Sequence, residues 1–223
     1  MSREIYDDIT YDEIHGTPPK ASDSFKLEGK TLAQVKSEAT DGMPLGNMQY
    51  FTSSGTFVVP SGVTKIWIEG AGAGGNNQTA VAMAVSGAGG GGFQGFISVS
   101  PGQSISVIIG ASPSGVTSFG GFAYAHGGAS AVAPNGGVFY PPVGGIASMA
   151  HPSVLSAITR QGEDGKVGYY YAIGGQSPFV NGGGDVGTTS TDHNSVPNSG
   201  AGAYSDRGNT QSYGASGYLI VKW

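Results

Sequence analysis

Residues 51–70, FTSSGTFVVPSGVTKIWIEG, decide the fold. Thr56 to Val59 and Val63 to Glu69 are strand-like runs on either side of Pro60-Ser61-Gly62, which has the composition of a type I turn. Ile66 and Ile68 alternate with Lys65, Trp67 and Glu69, the period-two pattern of a strand with one buried and one wet face. Working outward, Phe96 to Val99 and Ile105 to Ile109 flank Ser100-Pro101-Gly102-Gln103, which suits a type II turn with Gly102 at the positive-φ position. Ile105, Val107 and Ile109 share a face, and Tyr218 to Trp223 supply a closing strand. Helix is disfavoured beyond residue 50, with Ser153 to Thr159 the one ambiguous run.

Between these strands the chain is almost free of charge. Residues 70–159 contain no Lys, Arg, Asp or Glu, and the stretch is dense in glycine, including Gly72, Gly74, Gly75, Gly87 and Gly89 to Gly92. Glycine permits positive φ and lets backbones touch, because it has no Cβ. Extended helices of three residues per turn can also bond laterally when side chains are absent, which would satisfy every peptide group in an uncharged interior. Spacings such as Gly89, Gly92 and Gly95 allow this. No Gly-X-Y period is sustained, so collagen is excluded. No helix follows the glycine run, so a dinucleotide-binding loop is a poor match.

Charge gathers at the start of the chain, where residues 1–41 hold 14 of the 25 charged side chains. Three regions follow. Residues 1–25 form an arm with an internal echo, Tyr6-Asp7-Asp8-Ile9 then Tyr11-Asp12-Glu13-Ile14, broken by Pro18 and Pro19. Tyr6, Ile9, Tyr11 and Ile14 are its candidate docking residues; the alternative is a solvated terminus. Residues 26–48 hold a short helical neck and linker, capped at Thr31 with Gln34 three residues on, and carrying Leu32, Val35 and Ala39. Residues 49–223 form the glycine-rich β domain.

Net charge is −5 and charged residues are 11% of the chain, which argues against a basic nucleic-acid surface. There is no cysteine, hence no disulfide framework or thiolate metal site. No apolar run is long enough for a membrane-spanning helix, and the acidic N-terminus lacks the pattern of a secretory signal. His15, His126, His151 and His193 show no metal-ligand spacing, and no cofactor or metal is expected. His126, in FAYAHGG, reads as a packing residue. Glu163, Asp164, Asp185, Asp192 and Asp206 form no pattern that dictates a glycosidase pair, and no GxSxG signature is present.

Loops are expected at 76–85, 129–143, 146–173 and 188–199. Aromatic and polar residues there, Phe139, Tyr140, His151, Arg160, Tyr169, Tyr170, Tyr171 and His193, together with Phe179 just beyond the third loop, are the candidate receptor-binding set. Tyrosine gives a large amphipathic contact at small entropy cost. The alternative is that half or more of the aromatics are core.

FTSSGTFVVPSGVTKIWIEGAGAGG, GAGGGGFQGFISVSPGQSISVIIGA, SFGGFAYAHGG and GASGYLIVKW, in this order, resemble the glycine-rich C-terminal domains of bacteriophage tail fibres. The likeness covers about residues 50–130 and 214–223; Asn76 to Val85 interrupts the glycine run and 129–213 fall outside it. KLEGKTLAQVKSEA is similar to the neck segments that precede trimeric fibre tips. The expected fold is mainly β, a glycine-rich β-sandwich-like domain or an interleaved trimeric β tip with polyglycine-type extended helices as an option. The resemblance implies a non-enzymatic adhesin on the virion, released by lysis. It would be a homotrimer joined to a tail or baseplate protein by its arm, binding a host surface polysaccharide or outer-membrane protein without membrane insertion. A purely structural virion component and a surface-polysaccharide depolymerase are the alternatives.

Overall fold

Alternation sets the strand Lys65–Ala71, the middle strand of its sheet: Ile66 and Ile68 are fully buried, while Lys65, Trp67 and Glu69 stay partly exposed. The computed structural model describes residues 46–79, 83–132, 140–169, 171–179, 198–206 and 212–223. All belong to the second of two compact units, Pro44–Trp223. The arm residues Tyr6, Ile9, Tyr11 and Ile14, the neck helix, and Phe139, Tyr170 and His193 lie outside the described residues.

The described residues are mainly β and contain no helix. One five-stranded antiparallel sheet has the order β1 (Met48–Phe51), β15 (Tyr218–Lys222), β3 (Lys65–Ala71), β6 (Gly92–Ser98), β11 (Val154–Arg160). The other has the order β10 (Ala147–Ser148), β9 (Ala123–Ala125), β8 (Thr117–Phe119), β7 (Ser104–Ile108), β2 (Gly55–Val58). Phe57, Ile105, Val107 and Phe119 from the second sheet join Ile66, Ile68, Phe93, Ile97 and Leu219 from the first in one apolar core. Burying each such side chain contributes about 1.5–3 kcal/mol.

One turn expectation is corrected. Val63 N–H donates to Pro60 O at 3.2 Å, and Gly62, third in that turn, has φ +80°. This is type II geometry, one residue along from the type I expected. The turn at Ser100–Gln103 is as expected, with Gly102 at φ +78° and Gln103 N–H donating to Ser100 O at 3.0 Å. Neither turn closes a hairpin, however. β2 pairs with β7, and β3 pairs with β6 and β15, so both turns carry the chain from one sheet to the other.

Beyond the sheets the glycine-rich segments form a second body. Along 86–91 the backbone N–H groups of Ser86, Gly87, Ala88, Gly89, Gly90 and Gly91 donate to Lys166, Ala203, Ala129, Glu163, Gly200 and His126. Acceptors repeat every third residue among three neighbours (161–166, 199–204 and 126–131), the period of a three-residue-per-turn extended helix. The carbonyls of Gly87, Ala88 and Gly89 accept from Gly175, Gly75 and Gly145, adding segments 173–177, 72–77 and 142–146 around the same axis. These six bond to one another in a closed ring, through Gly128 to Ala73, Ala129 to Val143, Gly162 to Gly145, Glu163 to Gln176, Gly202 to Gly175 and Ala203 to Gly75. An uncharged interior therefore leaves its peptide groups paired, as burial requires.

Glycine is needed here for close approach. A Cβ on Gly90 would land on the carbonyl of Gly72, and one on Gly91 would meet Ile146 C at 2.5 Å. Gly92 and Gly95, whose spacing from Gly89 allows a continued triplet, instead lie on strand β6. The segment 146–173, expected as one loop, instead contains edge strand β11 and the extended run 161–166.

Candidate functional site

Chain direction places the turnarounds. The chain leaves β3 through 72–77 and returns through 86–91 to β6; it leaves β9 through 126–131 and returns through 142–146 to β10. It leaves β11 through 161–166 and returns through 173–177; the last excursion runs out through 199–204 and back through 212–217 to β15. The described residues 78–79, 83–85, 140–141, 167–169, 171–172 and 205–206 thus gather at one end of these segments, the end away from the two main sheets. Short strands tie that end together: β4 (Gln78–Thr79), β5 (Ala84–Val85) and β12 (Val167–Gly168) form one sheet, β13 (Tyr171–Ala172) and β14 (Ser205–Asp206) another.

Tyr140 and Tyr169 project from this end, 77% and 57% exposed, so neither is a core aromatic. Tyr213 and Val132 are exposed beside the same turnarounds. Neither was among the residues singled out from the sequence: Tyr213 stands just before the closing strand, where an aromatic reads as core, and Val132 carries no polar or aromatic group. Tyr171 begins β13, paired with Asp206.

Arg160 and Phe179 meet elsewhere. Arg160 ends β11 opposite Gly92, at the junction of sheets and bundle. Its guanidinium lies 5.5 Å from the centroid of the Phe179 ring. A Cβ at Gly92 would stand 3.0 Å from that ring, so the bare backbone there makes room for it. Phe179 has φ +71°, a left-handed conformation costly for an aromatic residue. Around this pair is a cavity of about 380 Å³ lined by Arg160, Gln161, Glu163, Gln176, Ser177 and Phe179. Glu163 Oε2 accepts from Gln176 N–H at 3.3 Å, and Gln161 Nε2 donates to Gly144 O at 3.4 Å. Nothing in the sequence pattern links 160–163 to 176–179; only the lateral bonding of the extended segments brings them together.

His151 stands apart from both places. Its ring packs edge-on to Phe122 at 4.7 Å between centroids, and its Nδ1 accepts from Ser153 N–H at 3.1 Å. His126, expected to pack in the interior, has an exposed side chain set edge-on to Tyr124 at 5.3 Å. Asp164 Oδ1 accepts from Gly144 N–H at 2.8 Å, so this carboxylate joins two segments. Among the described residues no group of three or more His, Asp or Glu is placed to hold a metal ion. The candidate residues thus divide among a distal end, a flank cavity and the sheet body.

No protein-family model matches the chain, and no curated protein sequence matches it.

Proposed function

We propose that this chain is a non-enzymatic receptor-binding tip of a bacteriophage tail fibre. The observation that carries the reading is the gathering of the short strands β4, β5, β12, β13 and β14, with exposed Tyr140 and Tyr169, at one end of a scaffold whose interior is nearly all backbone. Such a scaffold fixes where the turns stand while leaving their sequences free to differ. The resemblance of residues 50–130 and 214–223 to glycine-rich fibre domains supports it. In this reading the two main sheets pack as a sandwich at the base and three chains associate through the neck. The arm joins a tail or baseplate protein, and the particle works outside the cell after lysis. Three copies per fibre multiply weak contacts to a surface polysaccharide or outer-membrane protein.

Competition for adsorption tests it. Purified full-length protein, added to host cells before phage, should slow adsorption in proportion to its concentration. Adsorption at the unblocked rate would favour a structural virion component instead. Release of oligosaccharides from host polysaccharide would establish a depolymerase and remove the adhesin reading.

A further inference from the structure

The flank cavity carries its own chemistry. We propose that it is a binding site for a neutral pyranose residue, separate from the distal turnarounds. Its volume of about 380 Å³ falls at the small end of the roughly 300–1,000 Å³ typical of ligand pockets. Four planar polar groups line it: the Arg160 guanidinium, the Glu163 carboxylate and the Gln161 and Gln176 carboxamides. Each presents paired donors, paired acceptors or one of each, at a spacing that suits two adjacent hydroxyls. An apolar ligand would leave these groups unpaired on desolvation, a cost of about 1–3 kcal/mol for each.

Three groups are held in advance. Stacking on Phe179 restrains the Arg160 fork, and no carboxylate among the described residues pairs with it. Glu163 is fixed through one oxygen by the Gln176 N–H, which leaves Oε1 as an acceptor. Gln161 is fixed through its nitrogen, which leaves its oxygen to accept. The strained backbone at Phe179, seated over the bare Gly92, keeps the ring at the cavity wall, where its edge offers an apolar contact to sugar C–H groups. One positive and one negative side chain make the lining formally neutral. Glu163 offsets the attraction of Arg160 for a phosphate or uronate, so the balance favours an uncharged polyol that can hydrogen-bond to both.

Saturation-transfer NMR on the full-length protein tests this with methyl glycosides of glucose, galactose and mannose, against glucuronate and inorganic phosphate. At least one neutral glycoside should give a signal and the two anions none. Arg160→Ala and Glu163→Ala, both at exposed side chains, should each weaken binding tenfold or more at an unchanged melting temperature. Tyr124→Ala, which removes an exposed ring on β9 of the other main sheet, should leave it intact. Stronger binding of glucuronate or phosphate, silence from all three glycosides, or full binding by both cavity variants would each overturn the proposal. Loss of binding in Tyr124→Ala would move the sugar to the other main sheet and overturn it too. Adsorption results bear on the tip reading alone, so the two proposals fail separately.

Discussion

The phenol of Tyr218 donates to Glu69 Oε1 at 2.9 Å from a position where the tyrosine is 1% exposed. Burial first, and then the Glu69 charge and hydrogen bond, push the Tyr218 phenol far above its ordinary value. The folded protein therefore holds this proton more tightly than the unfolded chain does. The resulting stability is complete below about pH 10, where the unfolded phenol titrates, and is lost as pH rises above it. Melting followed from pH 8 to 11.5 should show a decline above pH 10 of up to about 1.4 kcal/mol per pH unit from this group. Tyr218→Phe should start about 1–3 kcal/mol less stable at pH 8 and then decline less steeply. Equal slopes in the two proteins would contradict the assignment.

Glycines at contacts and glycines in open space should behave differently. Gly90→Ala drives a methyl into the Gly72 carbonyl and should cost at least about 3 kcal/mol or prevent folding. A Cβ at Gly121 has no neighbour within 4 Å, so Gly121→Ala should stay within about 0.5 kcal/mol of wild type. Thermal melts of the two variants decide it, and similar melting points would remove close approach as the role of the glycine run.

Ser86 joins three segments through one hydroxyl. Its Oγ accepts from Lys166 N–H at 2.8 Å and donates to Ile173 O at 2.8 Å, with the residue fully buried. Ser86→Ala leaves both partners without this oxygen and should cost about 1–3 kcal/mol. Urea denaturation should show a lower midpoint at an unchanged slope.

The distal tyrosines should separate binding from stability. Tyr140→Ala combined with Tyr169→Ala removes two exposed rings and should leave the melting temperature within experimental scatter. As an adsorption competitor the double variant should be at least tenfold weaker. Undiminished competition would place recognition on another surface.

Assembly is the remaining expectation. Met48, Tyr50 and Ile158 are exposed on the first sheet, a surface apolar enough to be covered by other copies. Native mass measurement of the full-length chain should give a trimer. A stable monomer at micromolar concentration would refute that reading.

The strands were legible because alternation is local. Ile66 and Ile68, or Ile105 and Val107, announce their buried face within five residues, and Gly102 announces its turn by type. Which sheet each strand enters was not legible, because turn chemistry at Pro60–Val63 fixes a reversal without saying what pairs with what. The bundle was half visible. Glycine spacing suggested lateral bonding, but partners such as Gly87 and Ala203 are set by the whole path of the chain. Arg160 and Phe179 were each singled out, and their meeting was hidden for the same reason. Tyr140 and Tyr169 were found because large aromatics stand out against glycine.

A repeat of three residues in the bundle has a consequence for how the chain finds its alignment. Sliding one segment by a full turn against its neighbours would restore nearly the same lateral hydrogen bonds, so the backbone alone does not distinguish the native setting from a slipped one. The distinction falls in part to the few polar side chains placed between glycines. Asn77 Oδ1 accepts from Ser212 N–H at 2.7 Å, Asn76 Oδ1 from Gly214 N–H at 3.0 Å, and Ser114 Oγ donates to Gly128 O at 2.6 Å. These act as index marks, each satisfied at a single offset. The asparagines and serines that interrupt the glycine runs thus add to the registers of the adjoining strands in making one alignment of the runs lower in free energy than the others.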